Sequence, residues 1–346
     1  MDSHKQLFSL LCLLPLILVL LSEHMGLQLA EGREMKKYRP KMLFVFGDSY
    51  ADTGNTRMDQ PGSWKQPYGI TFPGKPAGRF SDGRVLTDYI AKYLRLKSPA
   101  PYKFRKLMQH RLNYGMNFAY GGTGVFDTSS KNPNMTIQIN FFEQLIKENV
   151  YTASDLSNSV ALVSVAGNDY NHYTAINGSI EGFPSFIASV VNQTATNLVR
   201  IHRLGVRKIV VGGLQPLGCL PSLTGSSSFE QCNSTFNNLV VLHNNLLKQA
   251  VTKLNQRRNT FIVLDLYDSF MSVINNNIKD HLKPCCVGLS SQYFCGSVDQ
   301  NNVKKYKVCD NPQSAFFWDL LHPTQAGWNA VYNKLQFTTA LHQIRY

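Results

Sequence analysis

Ser49 is the first candidate for chemistry, because it directly follows a short apolar run that is typical of a buried strand. The surrounding residues 45–55 read VFGDSYADTGN, so glycine and aspartate favour a tight turn at this serine. In such a turn the hydroxyl and the N–H of Ser49 can both face a cleft. The alternative is a loop in which Asp48 or Ser49 only caps the next helix. The segment is not the GxSxG nucleophile elbow, because position 51 is alanine.

Asp319 and His322 are the second candidate group, because they lie three positions apart just before Pro323. On a single turn the carboxylate can fix the tautomer of the imidazole and support its positive charge. An imidazole held in this way can remove the proton of a nucleophilic hydroxyl. The alternative role for Asp319 is that of a helix N-cap.

Two further turns contain groups that can donate hydrogen bonds to a developing negative charge. Gly121 and Gly122 lie in the segment NFAYGGTG (117–124), where bare N–H groups can contact an anion. This segment lacks the spacing and the lysine of a phosphate loop, and a flexible surface turn is the alternative. Asn168 follows an apolar run in VSVAGND (163–169), where its side-chain amide can act as an oxyanion donor. A simple Asn-Asp turn is the alternative there.

The elements that must position these residues alternate between strand and helix patterns. Short apolar runs predict buried parallel strands at Met42–Phe46, Val160–Val165, Lys208–Val211 and Phe261–Leu266. Helical periodicity predicts helices at Val85–Tyr93, Ile137–Lys147, Phe186–Arg203, after Ser234, and at Pro323–Leu341. The alternation predicts a three-layer α/β/α sandwich with a central, mainly parallel sheet. Ligands bind beyond the carboxyl ends of such strands, where the candidate residues fall.

The charged start and the apolar run within residues 1–30 predict a signal peptide over this segment. After Lys5, an apolar run extends from Leu7 to Leu21, which has signal-peptide length and is short for a membrane span. Ala30 is one candidate for the last residue removed, and an uncleaved anchor is the alternative. No second apolar run is long enough to predict a stable membrane span. We therefore expect a secreted, extracellular protein with a single domain over residues 31–346.

The cysteines also favour export, because six of them follow the leader and an even number indicates disulfide bonds. They are Cys219, Cys232, Cys285, Cys286, Cys295 and Cys309. A zinc site is the competing interpretation, but the spacings do not give a pair of CxxC motifs. We expect Cys219 to pair with Cys232 and the other four to pair among themselves, without a bond between the adjacent Cys285 and Cys286. Four glycosylation sequons begin at Asn134, Asn177, Asn192 and Asn233.

The composition bears on partners and cofactors. The formal net charge is +13, but the lysines and arginines are scattered along the chain. Without a basic helix or a base-stacking aromatic motif, we expect no nucleic-acid partner. The HExxH motif and the dinucleotide-binding glycine motif are absent from the sequence, so we expect no cofactor and no metal. The sequence does not indicate an oligomeric state.

Taken together, the four motifs resemble the GDSL or SGNH hydrolases, in particular the large plant branch of exported esterases and lipases. The resemblance runs from Phe44 to about Trp328. It includes the segments PYG (67–69), GRFSDGR (78–84) and GCLP (218–221) and the adjacent cysteines at 285 and 286. In this sequence Tyr50 replaces the leucine that gives the family its name, which could alter the wall of the pocket.

The resemblance implies a flavodoxin-like fold and assigns a role to each candidate residue. The implied roles are nucleophile for Ser49, acid–base pair for Asp319 and His322, and oxyanion donors for Gly122 and Asn168. Counting five positions on from Asn117 favours Gly122 over Gly121 as the glycine donor.

The implied activity is hydrolysis of an O-acyl ester through an acyl-enzyme on Ser49. The substrate would be a small-molecule or polymer-borne acyl ester. A transacylase that uses the same acyl-enzyme is one alternative. A non-catalytic wall- or glycan-binding protein on the same scaffold is the other.

Overall fold

The computed structural model describes residues 39–345 except 61, 257–258 and 276–280. The predicted signal peptide over residues 1–30 lies outside the described residues. Six parallel strands form the main sheet, and they are β1 (Met42–Gly47), β2 (Ala100–Pro101), β3 (Gly115–Asn117), β4 (Ser159–Ser164), β5 (Lys208–Gly212) and β6 (Phe261–Leu264). Their order across the sheet is β2-β3-β1-β4-β5-β6. Strands β2 and β3 lie on one side of β1, and β4, β5 and β6 lie on the other, so the strand order reverses at β1. Ligands bind at such a reversal point in open α/β sheets.

The four strands predicted from apolar runs are confirmed, with their ends shifted by one or two residues. Every residue of β1, β4 and β5 is buried, as expected for parallel strands that helices cover on both faces. Strand β6 ends at Leu264 rather than Leu266, because the Asp265 side chain accepts a hydrogen bond from the N–H of Asp268 and starts a helix. Strands β2 and β3 were not predicted, since two or three residues carry no periodicity.

The helices form two groups, which gives the α/β/α arrangement and confirms the predicted fold. Their bounds are α1 (Leu86–Leu94), α2 (Met135–Lys147), α3 (Ala153–Ser157), α4 (Gly167–Ala175), α5 (Phe183–Arg203), α6 (Pro221–Thr224), α7 (Ser234–Leu254), α8 (Leu266–Ile274), α9 (Gln325–Leu335) and α10 (Thr339–Gln343). Helix α5 contacts both α2 and α7, whereas α9 contacts both α1 and α8. Within the described ranges, no helix is both long and apolar enough to cross a membrane.

The prediction of one helix over Pro323–Leu341 is wrong. Thr324 is the N-cap of α9, and its hydroxyl accepts a hydrogen bond from the N–H of Gly327 at 2.8 Å. The helix ends at Leu335, and Thr338 then caps a separate short helix. The apolar pattern continues across this break, so periodicity alone joined two helices into one.

The cysteines form the bonds Cys219–Cys232, Cys285–Cys309 and Cys286–Cys295. This confirms the predicted Cys219–Cys232 pair and the pairing of the other four among themselves. The latter two bonds brace the antiparallel strands β7 (Cys286–Gly288) and β8 (Tyr306–Val308). The N–H of Cys286 donates to the carbonyl of Trp318 at 2.6 Å. This small sheet therefore supports the chain directly before Asp319.

Candidate active site

The sheet order brings three of the predicted loops to one edge. Ser49 follows β1, Gly122 follows β3 and Asn168 follows β4. Strand β1 lies between β3 and β4, and all three strands run parallel. Their carboxyl ends therefore meet at the point where the strand order reverses.

The turn at Ser49 depends on the residues on its N-terminal side. Gly47 has a φ of +139°, and a Cβ atom there would lie 1.9 Å from the carbonyl oxygen of Ser164, so only glycine fits. The Asp48 side chain accepts a hydrogen bond from the N–H of Tyr50 at 3.0 Å. In the described part of the chain, the N–H of Ser49 has no acceptor. Asp48 thus holds the turn, and the N–H of Ser49 stays available.

Asp48 makes the stability of the chain depend on pH. Burial raises the pKa of Asp48 from 3.8 to about 7, although the N–H of Tyr50 opposes the shift. Between those two values the folded chain keeps a proton that the unfolded chain releases. The contribution of Asp48 to the free energy of unfolding is thus fully present below pH 3.8 and is lost as the pH rises through about 7.

We expect Asp48→Asn to reduce the loss of stability between pH 4 and pH 8, measured as the urea midpoint at each pH. Burial also raises the pKa of Asp169, to about 6, so part of the pH dependence should remain. A variant with the same pH dependence as the parent would show that Asp48 does not titrate as described.

Ser49, His322 and Asp319 form one continuous hydrogen-bonded chain. The Oγ of Ser49 lies 2.8 Å from Nε2 of His322. Nδ1 of His322 lies 2.9 Å from each carboxylate oxygen of Asp319. Because an ionised carboxylate only accepts, Nδ1 carries the proton and Nε2 is left to accept from the serine hydroxyl. This arrangement can remove the hydroxyl proton of Ser49.

Asp319 holds the turn and the imidazole at the same time. Its Oδ1 accepts hydrogen bonds from the N–H groups of Leu321 and His322, both at 2.8 Å. Burial on its own raises the pKa of Asp319. The charge of His322 and the hydrogen bonds from His322, Leu321 and Tyr68 outweigh it, so the pKa lies below its ordinary value. The carboxylate therefore stays ionised beside the imidazole.

Tyr68 and Phe80 are site residues that the motif analysis missed. The hydroxyl of Tyr68 donates to Oδ2 of Asp319 at 2.7 Å. The ring of Phe80 lies with its centroid 5.1 Å from that of His322. Ser81 donates to the carbonyl of Pro323 at 3.0 Å, so the same stretch also fixes the turn after the histidine. The only signal for these residues was their place in the segments 67–69 and 78–84, which entered through the resemblance alone.

The two adjacent glycines of the glycine-rich turn differ in whether their N–H groups are available as donors. The N–H of Gly121 donates to Oγ1 of Thr56 at 2.8 Å and to Oδ2 of Asp52 at 3.1 Å, so it is already engaged. Gly122 has a φ of +77°, and its N–H has no acceptor in the described ranges. Of the two glycines, Gly122 is therefore the one whose N–H is available to an anion.

Asn168 lies at the start of α4 and lines the cavity beside Ser49. Its side-chain nitrogen donates one hydrogen to the carbonyl of Thr123 at 2.9 Å, which leaves a second hydrogen for another acceptor. The next residue, Asp169, accepts from the N–H groups of Val125 and Phe126 at 2.9 Å each. Asn168 and Asp169 therefore tie the glycine-rich turn and the two residues after it to the start of α4, which places both kinds of donor on one rigid frame.

A cavity of about 140 Å³ adjoins these groups and contains Ser49, Asn168 and His322 in its lining. Tyr50 also lines it, and the Tyr50 hydroxyl donates to the carbonyl of Leu321 at 2.7 Å. The residue that departs from the family pattern thus forms part of the pocket wall and braces the chain next to His322. Among the described residues, no group of three or more His, Cys, Asp or Glu side chains is placed to hold a metal ion.

Comparison with known proteins shows likeness over most of the chain. A family model described as GDSL-like lipase/acylhydrolase matches residues 43–335. A GDSL esterase/lipase of Arabidopsis thaliana is 54% identical over 349 residues, which cover 97% of this chain and 97% of that protein. Acetylajmalan esterase 2 of Rauvolfia serpentina is 31% identical over 320 residues, which cover 82% of this chain and 86% of that one. Among solved structures, a catalytic mutant of an acetylxylan esterase from Geobacillus stearothermophilus matches 88% of this chain and 98% of that chain, with 12% identity and a TM-score of 0.43.

Proposed function

We propose, from the premise that the chain belongs to the GDSL-like lipase/acylhydrolase family, that Ser49 is the nucleophile of its ester hydrolysis. Membership confirms the resemblance seen in the motifs, and the chain is a serine ester hydrolase. The observation that carries the residue assignment is the hydrogen-bonded chain from Ser49 Oγ through His322 to Asp319. The same arrangement of hydroxyl, imidazole and carboxylate activates serine on unrelated folds.

In the first half of the reaction, Ser49 attacks the ester carbonyl carbon while Nε2 of His322 takes the hydroxyl proton. Asp319 stays ionised and stabilises the imidazolium that forms. The carbonyl oxygen becomes negative and accepts hydrogen bonds from the N–H groups of Ser49 and Gly122 and from the amide of Asn168. The bond to the alcohol then breaks, and His322 returns its proton to the leaving oxygen.

In the second half, water takes the place of the alcohol. Nε2 of His322 accepts a proton from water as its oxygen attacks the acyl carbon on Ser49. The same donors hold the oxyanion again. The tetrahedral intermediate collapses, His322 returns the proton to Oγ of Ser49, and the carboxylic acid leaves.

Turnover of short p-nitrophenyl esters tests the proposed function. We expect the protein to release p-nitrophenol and free acid. With an added acceptor alcohol, product analysis separates hydrolysis from the transacylase alternative, because a transacylase would give mainly the new ester. Absence of any turnover by the folded protein would contradict both.

The oxyanion role of Asn168 predicts a loss of kcat rather than of substrate affinity. Its second amide hydrogen would meet charge that exists mainly in the transition state. We expect Asn168→Ala to lower kcat by about 10²–10³ while KM changes little. Asn171→Ala is the matched control, because Asn171 lies on the same helix and lines the same cavity. Normal kcat with a raised KM for Asn168→Ala would mean that Asn168 binds the ground-state substrate.

Tyr68 is proposed as a positioning residue that acts through Asp319. Removing its hydroxyl takes one hydrogen bond from a buried charged group, which is worth about 1.5–3 kcal/mol. We expect Tyr68→Phe to lower kcat by about tenfold with KM unchanged. Without the hydroxyl, the Asp319 carboxylate is held less firmly, so it orients and stabilises the imidazolium less well, and the imidazolium forms only during the reaction. Tyr89→Phe is the control, since its buried hydroxyl donates to the carbonyl of Gln325 instead. Equal losses in the two variants would indicate a purely structural effect.

We further propose that the chain is exported after removal of residues 1–30, with one catalytic domain over 31–346. The three disulfide bonds support an oxidising compartment. Asn177, Asn192 and Asn233 are exposed, whereas the side-chain nitrogen of the half-buried Asn134 donates to Asp127. We therefore expect glycan at one or more of those three sites. A mass equal to that of the bare chain after expression through a secretory pathway would count against export.

A further inference from the structure

Besides polar groups of the proposed active site, eight apolar side chains line the cavity beside Ser49. They are Val165, Leu214, Leu217, Leu220, Leu223, Phe236, Leu266 and Leu321. Among the described residues, no lysine, arginine or glutamate lines it, and its only carboxyl and imidazole groups are those of Asp48 and His322. A charged group of a substrate would find no ion-pair partner on the leucine-rich side and would lose its hydration. The lining therefore favours an uncharged apolar group.

The size of the cavity limits that group. Its volume is about 140 Å³. An apolar cavity of about 150 Å³ holds one benzene molecule, so this cavity has room for about six carbon atoms. An acetyl group would leave most of it unfilled.

Leu217, Leu220 and Leu223 form one side of the cavity, here called the leucine wall, and the chain that carries them is fixed at several points. The Cys219–Cys232 bond joins this wall to the residues that precede α7. Beside this bond, the N–H of Asn233 donates to the carbonyl of Gly218 at 2.8 Å. A wall held in this way cannot retreat freely from a larger ligand.

The leucine wall is also joined to the turn that carries His322. The N–H of Ser222 donates to the carbonyl of Leu320 at 2.9 Å. Leu321, the residue before His322, also lines the cavity. The size of the apolar space is therefore fixed relative to the proposed acid–base pair, and a group that fits it is held in register with Ser49.

We propose that this cavity binds one uncharged apolar group of about six carbon atoms on the ester, and that the leucine wall sets the size limit. The inference rests on the proposed function, since the cavity contains Ser49 and His322. The group can belong to the acyl part or to the alcohol part of the ester, because the lining includes both the proposed oxyanion donor Asn168 and the imidazole of His322.

Two ester series test the inference with the full mature protein. One series is the methyl esters of straight-chain acids from acetate to decanoate, and the other is the acetates of the matching alcohols. We expect kcat/KM, followed by acid release in a pH-stat, to rise about fourfold per added methylene in one of the two series. The rise in kcat/KM should stop when the varied chain of the ester has about six carbons. A flat profile in both series, or a steady rise to the longest ester, would overturn the inference.

Leu223→Ala tests the role of the leucine wall. Leu223 is half-buried, so its truncation should leave the fold intact. We expect the end of the rise to move to esters longer by about three carbons, the number that the substitution removes. Leu320→Ala is the matched control, because Leu320 is exposed beside the cavity and does not belong to its lining. If the size limit of Leu223→Ala is the same as that of the parent, the leucine wall does not set it.

The outcomes also separate this inference from the proposed function. If the protein hydrolyses methyl acetate but shows no size limit, the size inference fails and the esterase stands. If no ester is hydrolysed and Ser49 is not acylated, both are wrong.

Discussion

Ser49→Ala should lower kcat for a short-chain ester by on the order of 10⁶-fold, because it removes the oxygen that forms the acyl-enzyme. His322→Ala should cost about as much, since the hydroxyl then has no base at 2.8 Å. The double variant should lose little more than either single one, because the two side chains act as one unit. Steady-state kinetics of the three variants, with unchanged thermal midpoints, measure this.

Ser222→Ala is the matched control for the serine. Ser222 also lines the cavity, and its contact to Leu320 uses the backbone N–H, which alanine retains. We expect near-normal kcat for this variant. A folded Ser49→Ala protein with undiminished turnover would remove Ser49 from the mechanism. A double variant whose fold-loss in kcat equals the product of the two single losses would show that Ser49 and His322 act independently.

Asp319→Ala should have the second-largest effect, a fall in kcat of about 10⁴-fold. The variant keeps the base but loses the carboxylate that holds the Nδ1 proton of His322 and supports its charge. The imidazole can still accept a proton when poorly oriented, so the loss should be smaller than for Ser49→Ala. Kinetics at saturating ester measure the effect.

Asp310→Ala is the control for this loss of negative charge, because Asp310 is exposed on the same C-terminal segment. It should leave kcat nearly unchanged. If Asp319→Ala retained most of the parent's kcat, the carboxylate would act only by holding its turn through the N–H groups of Leu321 and His322.

Four of the six strands of the main sheet and the position of Ser49 at a strand end were predictable, because apolar runs and turn residues are local signals. The pairing of Asp319 with His322 was also local, since both lie on one turn. The contact between Ser49 and His322 joins residues 273 positions apart, and no periodicity encodes it. From the sequence, only the family resemblance of the combined motifs assigned these two residues to one site.

Other parts of the site depend on tertiary contacts that no local pattern reveals. Whether Gly121 or Gly122 is available depends on Asp52 and Thr56, which engage the N–H of Gly121 from another loop. Tyr68 reaches Asp319 across 251 positions and has no motif of its own in the residue-level analysis. The very short β2 and β3 were missed for a related reason, since β3 depends on its pairing with β1, and β2 on its pairing with β3.

Fluorophosphonate labelling with peptide mapping tests the central claim most directly, because the probe bonds only to a serine that is already activated as a nucleophile. We predict one label per chain, on the peptide that contains Ser49, and no label on the folded Ser49→Ala variant. An active, folded protein that carries the label on a different serine, with Ser49 unmodified, would contradict the account.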